Sequence, residues 1–454
     1  MLSGEGAPLK IAVIGSGISG LSAAWLLGKR HKVTLFERDH RPGGHSNTVD
    51  VKLANDVVPV DTGFIVFNEP AYPNLTAFFR HLEVATAATD MSFAVSLGGG
   101  RTEYAGGTLS GLVAQPANLL RSRYWSMLLD IVRFYKTAPG LVGTAAAHDM
   151  TLGDLLEAGG FGHALRDDHI LPMAGAIWSA PATAMLDYPA LSFVRFFENH
   201  GLFNLARRPL WQTVVGGSRR YVSRILDDFS GDVRLGSQAV RIRRTAAGVS
   251  VMVAGAEAEA FDHAVIATHA DQAIEMLSDA DEFERRLLGA FRYTRNRAVL
   301  HSDPAFMPRR RRAWASWNYL TTESGSNAPH SSVTYWMNRL QPLNTDAGLF
   351  VTLDPPAQPK AALIHHQEIY EHPLFDAAAH RAQQQLWSLQ GVRRTWFCGS
   401  YFGAGFHEDG LQSGLAVAEQ LAGVRRPWQV AGESGRIFLG PPAGLRSEIL
   451  EAAE

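Results

Sequence analysis

The chain predicts an α/β fold built around a parallel sheet, and three observations near its start carry that prediction. Ile11, Ala12, Val13 and Ile14 form a short continuous apolar run, the mark of a parallel strand buried on both faces. Gly15-Ser16-Gly17-Ile18-Ser19-Gly20 follows at once and opens a helical stretch from Leu21 to Leu27. A second strand, Lys32 to Phe36, ends in Glu37, about 20 residues beyond the turn. Strand, glycine-rich turn, helix and terminal acid in this register predict a Rossmann-type dinucleotide site. Gly15 permits the tight turn, Gly17 lets a pyrophosphate approach the backbone, and Gly20 lets the helix pack on the sheet. Ser19 lies in the same first turn, where free N–H groups and the helix dipole face the phosphates. Glu37 is placed to hold ribose hydroxyls.

Bulk composition narrows the class. A length of 454 residues suits two domains or one large composite. A net charge of −2 argues against nucleic acid as the main partner. Cys398, the single cysteine, excludes an intrachain disulfide and a cysteine-rich metal site, and it suits a reducing compartment. No stretch approaches the roughly 20 apolar residues of a membrane span. With a first strand starting near Lys10, no signal peptide is expected. The expectation is a cytoplasmic protein without a metal.

NAD and FAD both fit the opening motif, and the next segment separates them. Arg38-Asp39-His40-Arg41-Pro42-Gly43-Gly44-His45-Ser46-Asn47-Thr48 resembles the glycine-pair motif that follows the acid in the flavin amine-oxidase and phytoene-desaturase superfamily. Gly43 and Gly44 then give a second close backbone approach to the dinucleotide, with Arg38 and His45 beside it. His45 stands where that family usually has arginine. Val60-Asp61-Thr62-Gly63-Phe64 resembles the family's Asp-x-Gly turn near the flavin. Trp396-Phe397-Cys398-Gly399-Ser400 and the helix start Gly410-Leu411 resemble its C-terminal flavin motif, Ser400 replacing the usual acid. There a helix N-terminus stabilises negative charge on the reduced ring. The strand around Val240 corresponds to the one whose backbone meets the adenine. The resemblance implies non-covalent FAD, and Cys398 reads as a packed strand residue.

These motifs come from both ends and the centre, so the FAD domain is expected to be discontinuous: 1–70, 210–274 and 391–425. Two inserts, 71–209 and 275–390, would build an α+β substrate domain, the first mostly helical, and 426–454 a C-terminal tail. The inserts are rich in aromatics, around Met173 to Trp178, Phe193 to Phe203, Trp314 to Tyr319 and Tyr335 to Trp336. Most read as core and some as the lining of an apolar tunnel.

Phe196-Phe197-Glu198-Asn199-His200-Gly201, Trp317-Asn318-Tyr319, Glu371-His372-Pro373 and Gly405 to Gly410 resemble a narrower bacterial branch. It is related to the flavoprotein region of plant cyclopropane fatty acid synthases and includes the flavin-containing desaturase of furan fatty acid synthesis. That likeness implies a methylated, unsaturated acyl substrate, carried on a phospholipid, and a lipid methyltransferase as partner. Hydride would leave an allylic carbon for flavin N5 while a proton leaves the vinylogous position. Two other readings stay open: an amine oxidase or isoprenoid desaturase on the same scaffold, and a flavin-binding accessory of a lipid methyltransferase. The lysine many amine oxidases place near N5 has no counterpart, since Lys360 is the only lysine after Lys136.

Two local readings complete the expectations. His407, three residues before Gly410, is placed to border the reaction site and take the proton, because imidazole titrates near neutrality. Its competing reading is a shape-filling side chain. Glu408 would orient His407 or face solvent, and Asp409 would cap the helix. Arg309 to Arg312, flanked by Phe306, Met307, Trp314 and Trp317, reads either as a dock for the inner face of an anionic membrane or as a solvated basic loop.

Overall fold

A computed structural model describes residues 7–53, 56–141, 150–179, 181–204, 208–322 and 330–440. The apolar run near the start is strand Lys10–Ile14, the centre of a five-stranded parallel sheet. Lys32–Phe36 and Asp232–Arg234 lie to one side, and His263–Ile266 and Thr395–Phe397 to the other. All ten residues of helix Ile18–Leu27 are buried, because the sheet covers one side and helix His407–Ala422 the other. Glycines set that packing distance. A Cβ on Gly20 would collide with the Gly15 carbonyl oxygen, and one on Gly414 with the Ser19 oxygen. This is the α/β Rossmann-type architecture that the motifs predict.

A second, seven-stranded mixed sheet runs in the order Ile364–Leu374, Arg292–His301, Phe350–Leu353, Ser331–Trp336, Trp317–Thr321, Phe93–Leu97, Thr102–Ala105. Its last two strands come from the stretch expected to be mostly helical. Gly98, Gly99 and Gly100, with φ of 55°, 61° and 92°, form the turn that pairs them. That stretch otherwise supplies helices, among them Ser122–Thr137, Leu171–Trp178 and Ala190–Asn199.

Asp61, the last residue of strand Val57–Asp61, joins the start of helix Arg219–Asp227 to the end of helix Met337–Leu340. Its buried carboxylate accepts from Ser218 N–H at 2.9 Å and from Gln341 Nε2 at 2.9 Å. Burial raises its pKa to about 6, against the lowering effect of the bonds from Thr48 and Ser218. The tail is docked as far as it is described: Trp428 stacks on Trp25 at 5.9 Å, and Arg436 pairs with Asp409 at 2.6 Å. Residues 441–454 of the expected tail lie outside the described residues.

Candidate functional site

A cavity of about 770 Å³ runs from the glycine turn, past Glu37, to an aromatic box between the two sheets. At one end Gly15 holds φ +100°, and Gly17 caps helix Ile18–Leu27 without any side-chain bond. A Cβ on Gly17 would meet nothing within 4 Å, so the first-turn N–H groups face open space. Gly44 closes on this turn from above, a Cβ there lying 3.2 Å from Gly17 Cα. Gly43, at φ +111°, donates its N–H to the Ser16 oxygen at 3.0 Å. The two glycine motifs thus form one backbone cradle, open on its inner side.

Glu37 is buried at the strand end and lines the cavity. Its carboxylate accepts from Ser16 N–H at 2.8 Å and Asp39 N–H at 3.0 Å, which hold it in place and leave acceptor capacity for ribose hydroxyls. Ser19, Arg38, His45, Gly399 and Ser400 also line the cavity. His45 is half-buried with its Nε2 shielded from solvent and unpartnered, its ring 5.0 Å from Tyr370 and 5.4 Å from His372. Burial, reinforced by His269 and Arg41, lowers its pKa to about 4. A neutral imidazole therefore stands beside the cradle. The open N–H cradle, the anchored carboxylate and the unpartnered His45 Nε2 fit a flavin dinucleotide.

Six of the expected site residues stand off the cavity wall, Glu408 among them. Gly20, Gly43, Gly410 and Leu411 support the cradle from behind, Gly410 at a contact of 2.9 Å between its would-be Cβ and Ile18. The register slips between Ala239 and Arg241, so Val240 is left out of the ladder and is 42% exposed, while Ser237, Gln238 and Ala239 of the same stretch form the cavity wall.

The C-terminal helix begins at His407, three residues earlier than expected. His407 lines the cavity and stacks on Phe64 at 3.8 Å. Its Nε2 lies 2.7 Å from Tyr221 Oη and 3.1 Å from Ser46 Oγ, which also bond each other. Burial, with His45 adding to it, lowers the His407 pKa to about 3. The ordinary imidazole pKa assumed for a proton acceptor does not apply in this environment.

Glu408 is corrected outright, because it points away from the cavity. One oxygen accepts from Asn74 N–H and Nδ2 and Gln412 Nε2, and the other from Leu75 N–H, all between 2.8 and 3.0 Å. It caps helix Pro73–His81, whose own N-cap residue Tyr72 offers no side-chain bond. Asp409 sits in the first turn rather than at the cap, bonding back to Phe406 N–H at 2.7 Å and pairing with Arg436.

The far wing of the cavity is aromatic. Phe196 packs on Trp178 at 4.8 Å, Phe406 at 4.7 Å and His200 at 3.8 Å, and His200 stacks on Trp211 at 5.9 Å. Met173, Ile177, Trp317 and Tyr335 complete the lining, whereas Phe193, Phe197 and Tyr319 are core. Burial lowers the His200 pKa to about 3, so the box is uncharged. Tyr370 is the residue that motif reasoning missed. Its hydroxyl bonds Thr62 Oγ1 at 2.7 Å and Asn47 Nδ2 at 3.0 Å from a strand 308 and 323 residues away, with no local signal.

The sequence profile of the flavin containing amine oxidoreductases matches residues 18–338, more than half of the chain. A carotenoid phi-ring synthase of Chlorobaculum tepidum is 31% identical over 137 residues, 30% of this chain and 21% of that protein. An L-amino-acid oxidase of Daboia russelii is 52% identical over 42 residues, 9% of this chain and 8% of that one. The chain thus spans about a fifth or less of the curated relatives it matches. Among solved structures, a CLA-producing fatty acid isomerase from P. acnes superposes with a TM-score of 0.66 at 14% identity, covering 91% of this chain and 98% of that one. A putrescine oxidase bound to putrescine gives 0.65 at 16% identity, covering 92% and 99%. At such identities the superpositions speak for the fold alone. With the profile match and the dinucleotide cradle together, the chain belongs to the flavin-containing amine oxidoreductase family, with FAD as its cofactor.

Proposed function

We propose that this oxidoreductase dehydrogenates an unsaturated, methylated fatty acyl chain carried on a phospholipid. The observation that supports this reading is the uncharged box of Trp178, Phe196, His200, Trp211 and Phe406, which offers contact to an alkyl chain and no carboxylate to an ammonium. Bound flavin supplies a hydride acceptor. The chain's own contribution is placement and exclusion of water. The aromatic walls fix the direction of the acyl chain, and Phe64 and His407 form one stacked face of the reaction chamber. His407 Nε2 stays uncharged and shares protons with Tyr221 Oη and Ser46 Oγ, so it positions that network rather than storing a proton.

The similarity to a carotenoid phi-ring synthase favours a second reading, an isoprenoid substrate in the same box. Anaerobic mixing of the yellow protein with methylated acyl lipids, carotenoids and polyamines decides among them. Bleaching of the flavin by acyl lipids alone is the expected result. Bleaching by polyamines or carotenoids instead ends the acyl reading, and no bleaching by any of them favours an accessory to a lipid methyltransferase.

A further inference from the structure

Fifteen large apolar side chains are exposed among the described residues, and seven of them fall between Leu109 and Val132. Leu109 is 83% exposed and Leu120 90%, each at the tip of a short helical turn. Trp125, Leu129 and Val132 follow at helical spacing on the outer face of helix Ser122–Thr137. These elements are one surface. Trp125 Nε1 donates to the Leu119 oxygen at 2.8 Å, and Tyr124 Oη to the Leu112 oxygen at 2.7 Å.

The rim of this surface is basic. Arg121 donates to the Arg101 oxygen at 2.8 Å, and the Leu109–Leu112 turn packs against Arg311–Ala313. Arg101, Arg121, Lys136, Arg309, Arg311 and Arg312 have no carboxylate partner among the described residues. The nearby acids are spent: Glu103 is wholly buried against Arg310, and Asp130 pairs with Arg133. The apolar flanks of the Arg309–Arg312 run meanwhile turn inward. Met307 is buried, Trp314 packs on Trp336 at 5.4 Å, and Trp317 lines the cavity.

The same helix reaches the cavity from within. Tyr135, on its buried face, lines the cavity. Arg208 also lines it while remaining exposed, beside Leu210 at 66% exposure, which marks a mouth. Arg208 is close enough to Tyr135 for its charge to act on that phenol.

We propose that the apolar face from Leu109 to Val132, with its basic rim, docks on the surface of an anionic phospholipid bilayer and brings the mouth at Arg208 to the acyl chains. The bulk of the apolar side chains enters the headgroup boundary while the arginines meet lipid phosphates. This rests on the acyl reading for the substrate and stands apart from it for the docking. The test is flotation of the flavin-loaded protein with vesicles of phosphatidylcholine alone or mixed with phosphatidylglycerol. The comparison is Leu120→Glu/Leu129→Glu, whose flavin absorbance reports an intact fold. The parent should float with the anionic vesicles, release at high salt, and lose about tenfold or more in partitioning on double substitution. Flavin reduction by detergent-dispersed acyl lipid should be the same in both, so docking that persists without any acyl turnover would end the substrate reading alone. A parent that floats with neither vesicle, or a double variant that floats like the parent, overturns the docking. So does a concentration-dependent dimer that the substitutions abolish, since a second copy then covers the face.

Discussion

At the residue scale the site is a set of side chains whose chemistry is altered by burial. Glu37 is anchored by Ser16 and Asp39 before any cofactor arrives, so it offers ribose a preorganised carboxylate. Glu37→Ala is expected to weaken FAD binding by about 1.5–3 kcal/mol, the range for a hydrogen bond to a charged group. Flavin fluorescence titration of the apoprotein measures this, and equal affinity in both proteins would remove Glu37 from the ribose site. His407, held near pKa 3, should show no titration in flavin reduction near 6.5, the ordinary imidazole value. His407→Phe should keep the yellow cofactor, since the ring stack on Phe64 is preserved in kind, yet slow reduction by loosening Tyr221 and Ser46. A rate inflection near pH 6.5 that vanishes in the variant would restore His407 as the proton acceptor.

At the element scale, the cradle depends on how closely two helices approach. Helix Ile18–Leu27 and helix His407–Ala422 meet through Gly410 and Gly414, so both ends of the chain are brought to one cofactor. Gly414→Ala drives a methyl against the Ser19 backbone, which cannot retreat as a side chain would. Such overpacking costs typically 1–3 kcal/mol, and the displaced helix should release FAD as well. A denaturation midpoint and flavin content unchanged from the parent would show that the helices have slack. Glu408 belongs to this scale too. It is a helix cap borrowed across the chain, so Glu408→Ala should lower stability by about 1 kcal/mol or more without a selective loss of turnover.

For the whole molecule, buried histidines make the fold sensitive to acid. His169 bridges Tyr104 and Tyr135 hydroxyls at 3.0 Å each, and burial lowers its pKa to about 4. The unfolded chain binds that proton near pH 6.5 and the folded chain only near 4, so stability is present above 6.5 and is lost as pH falls toward 4. Between pH 7 and pH 5 this one group should remove about 2 kcal/mol. His45, His200, His372 and His407 are lowered in the same direction. Urea unfolding at the two pH values checks the total, and His169→Gln should reduce the difference. An identical pH response in that variant would mean that His169 titrates normally in the fold.

Local chain geometry accounts for what could be read from the sequence. The Ile11–Ile14 strand, the Gly15–Gly20 turn and the Gly43–Gly44 pair each encode their conformation within a few residues, and the parallel sheet and FAD cradle follow from them. The bulge at Val240 depends on pairing with Val249–Val253, so neighbouring positions alone could not tell Val240 from Ala239. Glu408 and His407 are adjacent in sequence and next to each other on the same helix, yet one faces Asn74 and the other the cavity. Their separate roles were decided by which partner surfaces pack on each side. The Arg309–Trp317 run carries the same lesson: Arg309, Arg311 and Arg312 face water and Arg310 pairs with buried Glu103, while its apolar flanks turn to the core and the cavity, and the exposed apolar face lies instead at Leu109 to Val132. Periodicity determines which residues share a side of an element. Only tertiary packing decides which side is covered, because burial is a property of the contact between elements and not of either sequence alone.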